Sequence, residues 1–135
     1  MPRPVTSDYG SFYQDYINQT TTDDVQYLLQ QSLLPLKDFF SSIPSSKIDY
    51  AYSEGKWTLK ELLQHLIDTE RIMSYRALCI ARGEQKSLPG FDENDYVVAS
   101  NASERTWNSL IEEMLLVRKS TILLFDSFNI NLLQQ

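Results

Sequence analysis

The feature that most constrains the fold is one long helical pattern over residues 57–83. Thr58 and Glu61 match a capping box, in which the hydroxyl and the carboxylate accept hydrogen bonds from N–H groups that the first helical turn leaves unpaired. Gly83 is a suitable stop, because glycine readily adopts the left-handed conformation that ends many helices. The spacing therefore predicts a helix over about residues 58–83 with one apolar stripe facing a core. The stripe consists of Leu59, Leu62, Leu63, Leu66, Met73, Ala77, Ile80 and Ala81.

Two further helical patterns make the chain an all-α protein with three long helices. The first covers about residues 22–43 and has Asp23 and Asp24 at its positive end. Pro35 lies inside it, and because proline lacks the N–H group that continues a helix, a kink or a break is expected there. The other is the third helix in chain order; it covers about residues 101–128, with Asn101 or Ser100 as its N-cap. Three amphipathic helices of this length favour a helical bundle.

Length and composition predict one domain over residues 1–135. Residues 1–21 are expected to form an irregular arm packed by its aromatic rings, and residues 84–100 a long crossover loop. Twelve basic and eighteen acidic residues give a net charge of −6, and the basic residues form no cluster, so the sequence predicts neither a nucleic-acid partner nor a membrane span. The single cysteine and the absence of a signal-like apolar run favour a cytoplasmic location.

Two charged residues interrupt the apolar faces of the second and third predicted helices. Glu70 falls near the middle of the stripe on the second helix, and Arg118 occupies a similar position on the third. Because an unpaired buried charge costs several kcal/mol, the two are predicted to form a structural ion pair. The alternative is that either long side chain extends to solvent.

Three segments resemble the DinB-like superfamily of metal-dependent enzymes, in the same order and at the same spacing. They are KWTLKELLQHLIDTERIMSYRALCIARGE, LPGFDENDY and LLVRKSTILLF, and the similarity spans about residues 45–128. The resemblance implies a four-helix bundle that binds a divalent metal, commonly zinc or nickel, through one histidine on the second helix and a pair on the fourth. His65 matches the second-helix position. Because the chain holds no other histidine, the fourth helix with its histidine pair is expected to be missing and the metal site incomplete.

The candidate site residues lie at the start of the predicted second helix. Asp68 follows His65 by three positions and is a candidate to ligate the metal or to orient the imidazole. Trp57, Tyr50 and Tyr52 are candidate pocket walls. The alternatives are that His65 is an ordinary bundle residue and that Trp57 packs as a hydrophobic staple. Cys79 lies about 21 Å further along the helix and cannot share a metal with His65.

Two functional hypotheses follow from the sequence. The first is a divalent-metal-dependent hydrolase or thiol S-transferase acting on a small molecule, in a truncated form. The second is a non-catalytic bundle that serves as an interaction or dimerisation module. In that case a second copy or a partner helix would cover the apolar face that the missing helix leaves open.

Overall fold

The computed structural model describes residues 3–128, and every regular element in this part of the chain is helical. The limits of the predicted domain at residues 1–2 and 129–135 lie outside the described residues. Three short 3-10 turns cover Ser11–Tyr13, Ser45–Lys47 and Ala102–Glu104. The α-helices are α1 (Gln14–Asn18), α2 (Val25–Gln31), α3 (Leu33–Ser41), α4 (Leu59–Ala81), α5 (Glu93–Ala99) and α6 (Trp107–Asp126).

Helix α4 begins and ends as the sequence predicts. The Thr58 backbone N–H donates to Glu61 Oε2 at 2.7 Å, and the Glu61 N–H donates back to Thr58 Oγ1 at 3.3 Å, so the capping box is confirmed. At the other end Gly83 has φ +77°, and the N–H groups of Gly83 and Glu84 donate to the carbonyls of Ile80 and Cys79. This pair of hydrogen bonds is a Schellman motif, which satisfies carbonyls that the last turn leaves free.

Helix α6 is the central element of the bundle, because it contacts α4 and also α2 and α3. Its residues Leu110 and Met114 are buried against Leu63 and Ile67 of α4. At the α3 side, the Trp107 indole N–H donates to the Phe40 carbonyl at 3.1 Å. One continuous apolar core therefore joins α3, α4 and α6, and it fixes the direction in which α4 presents its other faces.

The first predicted helix is two helices in the structure. Asp24 caps α2 by accepting from the N–H groups of Gln26 and Tyr27, so the helix begins a few residues later than predicted. The predicted interruption occurs at Ser32, and Pro35 lies in the first turn of α3, where a missing N–H costs least. The helix then ends at Ser41.

The connections differ more from prediction than the long helices do. The predicted crossover loop contains helix α5, which Asp92 caps by accepting from two backbone N–H groups. The third long helix begins at Trp107 rather than near residue 101, because Thr106 provides the N-cap and Asn101 adopts a left-handed conformation with φ +52°. The N-terminal arm contains a 3-10 turn and α1, and its rings Phe12, Tyr13 and Tyr16 contact one another but remain exposed.

The single apolar stripe predicted for α4 is divided between two faces. Leu63, Ile67 and Ala81 are buried, whereas four large apolar residues about 100° further round the helix are 39–58% exposed. We call these four the exposed stripe of α4. They are Leu62, Leu66, Met73 and Ile80.

Helices long and apolar enough to cross a membrane are absent from the described part of the chain.

Candidate functional site

His65 lies in the second turn of α4, where the side chain is half-buried. The Trp57 ring lies against it, with ring centroids 4.9 Å apart and a tilted arrangement. On the next turn, Thr69 Oγ1 is 3.5 Å from His65 Nε2. The imidazole is thus held between an indole and a hydroxyl at the end of the bundle where α4 begins.

Trp57 also lines a cavity of about 660 Å³. The cavity lies between the end of α3, the chain that leads into α4, and the start of α5. The predicted pocket walls Tyr50, Tyr52 and Trp57 all line it, so the structure brings these three together. His65 contacts the lining residue Trp57 but does not itself line the cavity. The other lining residues are Ile43, Pro44, Lys47, Gly55, Lys56, Leu59, Leu62, Glu93 and Asn94.

Asp68 is engaged by neighbours other than His65. Its Oδ1 accepts from Gln64 Nε2 at 3.0 Å and lies 3.9 Å from Arg71. These contacts turn the carboxylate toward the interface with α6. The predicted role of Asp68 in orienting the imidazole therefore finds no support in its geometry.

A polar network joins α4 to α6 around Glu113. Its Oε1 lies 2.6 Å from Arg71, and its Oε2 forms an ion pair with Arg105. Arg105 also donates to the Oε1 of the buried Gln64 at 2.7 Å. The network was not predicted, since Gln64, Arg71 and Glu113 lie at the edges of helix faces and Arg105 lies just before α6, where a polar side chain could as easily extend into water. Gln64 is outside the predicted apolar stripe, so the sequence did not mark it as buried.

The two arginines determine the titration of Glu113. Partial burial acts to raise the pKa of the carboxyl, but hydrogen bonds from Arg71 and Arg105 outweigh it and hold the pKa below its ordinary value. A carboxyl with a lowered pKa in the folded state stabilises the fold above its unfolded pKa, about 4.3. This contribution is lost as the pH falls through the lower, folded-state value.

We expect Glu113→Gln to lower the free energy of unfolding by about 1 kcal/mol at pH 7, because two partly exposed arginines lose their charged partner. The difference from the wild type should shrink as the pH falls below about 4, where the wild-type carboxylate is itself protonated. Urea unfolding followed by circular dichroism at several pH values measures both effects. The adjacent exposed Glu112, changed to glutamine, is the matched control. If the difference in unfolding free energy between Glu113→Gln and the wild type stayed constant down to pH 2, the charge of Glu113 would not be the source of its stabilisation.

Glu70 and Arg118 lie in direct contact between α4 and α6. Arg118 Nε and a terminal nitrogen donate to the two Glu70 carboxylate oxygens at 2.7 and 2.8 Å. The other terminal nitrogen donates to Ser32 Oγ at 2.6 Å, at the junction of α2 and α3. Both side chains are mostly buried, so one guanidinium links three segments of the bundle.

The described residues do not fit the metal site that the resemblance implies. A catalytic zinc or nickel centre needs about three nitrogen, oxygen or sulfur ligands around one point. Within residues 3–128 no group of three or more histidine, cysteine, aspartate or glutamate side chains is arranged to hold a metal ion. The side chains found next to His65 belong to Trp57 and Thr69, and Asp68 faces Gln64. Within residues 3–128, His65 therefore lies apart from any group of side chains that could complete a metal site with it.

Comparisons with known proteins agree with this architecture. A family model described as the DinB superfamily matches residues 28–133. Among solved structures, YfiT from Bacillus subtilis, described as a probable metal-dependent hydrolase with an unusual four-helix bundle topology, matches with a TM-score of 0.67. The two chains are 14% identical, and the match covers 84% of this chain and 67% of YfiT. At that identity the likeness shows the fold alone. No curated protein matches.

Proposed function

This chain belongs to the DinB superfamily, and on that premise we propose that it is a non-catalytic interaction module that pairs with a second copy of itself through α4. The observation that carries the proposal is the exposed stripe of α4. Its four large apolar side chains face away from the core on a helix of 23 residues. An exposed apolar patch of this kind commonly marks an interaction surface.

The spacing of the stripe selects the partner. Thr69 and Arg76 lie on the same line as the four apolar residues, so successive positions differ by 4, 3, 4, 3 and 4 residues. That is the spacing of a coiled-coil seam, here about 27 Å long. This order of spacings is the same from either end of the helix. A second copy in antiparallel orientation therefore presents the same spacing to the first copy. A two-fold symmetric interface requires such self-complementarity.

The antiparallel register brings compatible side chains together. Leu62 would face Ile80 of the second copy, and Thr69 would face Met73 of the second copy. Leu66 would face Arg76 of the second copy. The Arg76 guanidinium donates to the Pro89 carbonyl of its own chain at 2.8 Å, so the aliphatic part of the side chain is left to cover the leucine. No like charges meet along the seam. A single helix pair buries little area, so we expect a reversible dimer with a dissociation constant of about 10 to 100 μM.

Sedimentation velocity over a range of protein concentrations tests this proposal. We expect the wild type to shift reversibly from monomer to dimer, and Met73→Glu to remain monomeric at every concentration, because it places a charge at the middle of the seam. Leu123→Glu is the matched control, since Leu123 is a highly exposed apolar residue on α6, away from the seam. A wild type that stays monomeric up to about 1 mM, or equal weakening by both variants, would refute the proposal.

A metal-dependent hydrolase or thiol S-transferase is the second candidate, favoured by the contact of His65 with Trp57, a residue that lines the cavity. It would need ligands beyond those that residues 3–128 bring to His65. The two candidates are separated by metal analysis of the purified chain after exposure to zinc or nickel. Stoichiometric metal that is lost in His65→Ala and retained in Cys79→Ser would support the enzyme, whereas metal content independent of His65 would exclude His65 as a ligand.

A further inference from the structure

The cavity at the start of α4 has the size and composition of a small-molecule site. Its volume of about 660 Å³ is within the usual range for such sites. Its apolar lining includes three aromatic side chains and aliphatic residues from the end of the α3 segment and the start of α4. These six are Ile43, Tyr50, Tyr52, Trp57, Leu59 and Leu62.

The cavity lining carries more positive than negative charges. Lys47 and Lys56 contribute two positive charges, and Glu93 contributes one negative charge, so the lining carries a net charge of +1 in a protein of net charge −6. Lys47 is positioned by Tyr50, since its ammonium lies 4.8 Å from the centre of the ring. Such a cation–π contact orders the lysine without neutralising it.

The two lysines are available to a ligand. Lys60, the next lysine along the chain, contacts Asp49 at 3.0 Å and the Ser103 carbonyl at 3.1 Å. Across residues 3–128, by contrast, neither Lys47 nor Lys56 has a carboxylate within ion-pair distance. An anion that entered the cavity would therefore meet two ammonium groups that are not already paired.

From this combination we infer that the cavity binds a small monocarboxylate with an aromatic or branched aliphatic body. The apolar body would lie against Trp57 and Leu62, and the carboxylate would lie near Lys47 and Lys56. Glu93, at the start of α5, disfavours ligands with a second negative charge near that wall. Leu62 is the one residue that the cavity lining shares with the exposed stripe of α4, and the other lining residues lie outside the seam, so the inference does not require dimerisation.

Isothermal titration calorimetry with three probes of one skeleton tests the inference. 4-Phenylbutyrate, its amide and the corresponding amine share the phenylalkyl body and differ in the head group, which is anionic, neutral or cationic. We expect the carboxylate to bind most tightly, the amide on the order of tenfold more weakly and the amine more weakly still. Equal affinity for acid and amide would overturn the role of the lysines, and preference for the amine would assign the specificity to Glu93 instead.

Variants of exposed lysines locate the site without risk to the fold. Lys47→Gln combined with Lys56→Gln should weaken 4-phenylbutyrate on the order of tenfold and leave the amide unchanged. Lys119→Gln, an exposed lysine on α6, is the matched control and should change neither. Binding of the acid that survives the double variant would place the carboxylate elsewhere and overturn the inference, as would the failure of all three probes to bind.

Discussion

Removing Arg118 should destabilise the protein by about 3 kcal/mol, because Glu70 is then left as an uncompensated charge inside the bundle. The Glu70 side chain is only 11% exposed, and within residues 3–128 both hydrogen bonds to its carboxylate come from Arg118. Arg118→Leu also removes the donor that Ser32 Oγ accepts from. Chemical unfolding of the variant in urea measures the loss.

The double variant Glu70→Leu/Arg118→Leu should recover most of the stability that either single change removes. Replacing a buried ion pair by apolar residues of similar size is often neutral or stabilising, whereas breaking the pair is costly. An exposed pair is the matched control. Asp23 lies at the same 2.7 Å from Arg3 but is 70% exposed, so Asp23→Leu should cost less than about 1 kcal/mol. Additive losses in the double variant would show that the two residues do not act as a pair.

The Glu70–Arg118 contact could be predicted because both residues break strongly periodic apolar patterns. A charged side chain in the middle of such a stripe needs a partner of opposite charge. Opposite charges in equivalent positions on two helices therefore suggest an ion pair between them. The capping box and Gly83 were predictable for a similar reason, since they act through backbone groups within four residues in sequence. Local rules of this kind do not depend on the partner helix.

The start of α6 and the presence of α5 depend on weaker local signals. By residue type Asn101 with Glu104 fits a capping box and Thr106 fits only a simple N-cap. The chain nevertheless turns left-handed at Asn101, and Thr106 caps the helix by accepting from the Ser109 N–H. Helix α5 has seven residues, too few to establish an apolar period. Both features are decided by packing against α4, which contacts α5 and the neighbouring 3-10 turn.

The site was harder to predict than the fold because it depends on which faces of α4 are covered. Tyr50 and Tyr52 are candidate walls because His65 lies only two turns into the helix, and Trp57 is a candidate wall or a staple; all three do share a cavity. Whether His65 lines the cavity, and whether Asp68 turns toward Gln64, depend on rotations of a few tens of degrees about the helix axis. Residue spacing alone does not determine those rotations.

The two apolar faces of α4 should respond very differently to the same substitution. Leu63 is fully buried among Ile67, Leu110 and Met114, so Leu63→Ala should lower the free energy of unfolding by about 3 kcal/mol through lost burial and the cavity that remains. Leu66 is 39% exposed, and Leu66→Ala should cost about 1 kcal/mol or less in the monomer. Urea unfolding at a few micromolar protein, well below the expected dissociation constant, measures both.

Protein concentration then distinguishes the core face from the proposed interface. Association with a second copy stabilises only the folded chain, so the wild type should become more stable as its concentration rises, and a seam variant should gain less. The cost of Leu66→Ala is therefore expected to grow between micromolar and millimolar protein, while the cost of Leu63→Ala stays near its low-concentration value. If Leu66→Ala were as costly as Leu63→Ala at the lowest concentration, Leu66 would be covered within a single chain, and the exposed stripe of α4 would not be available to a second copy.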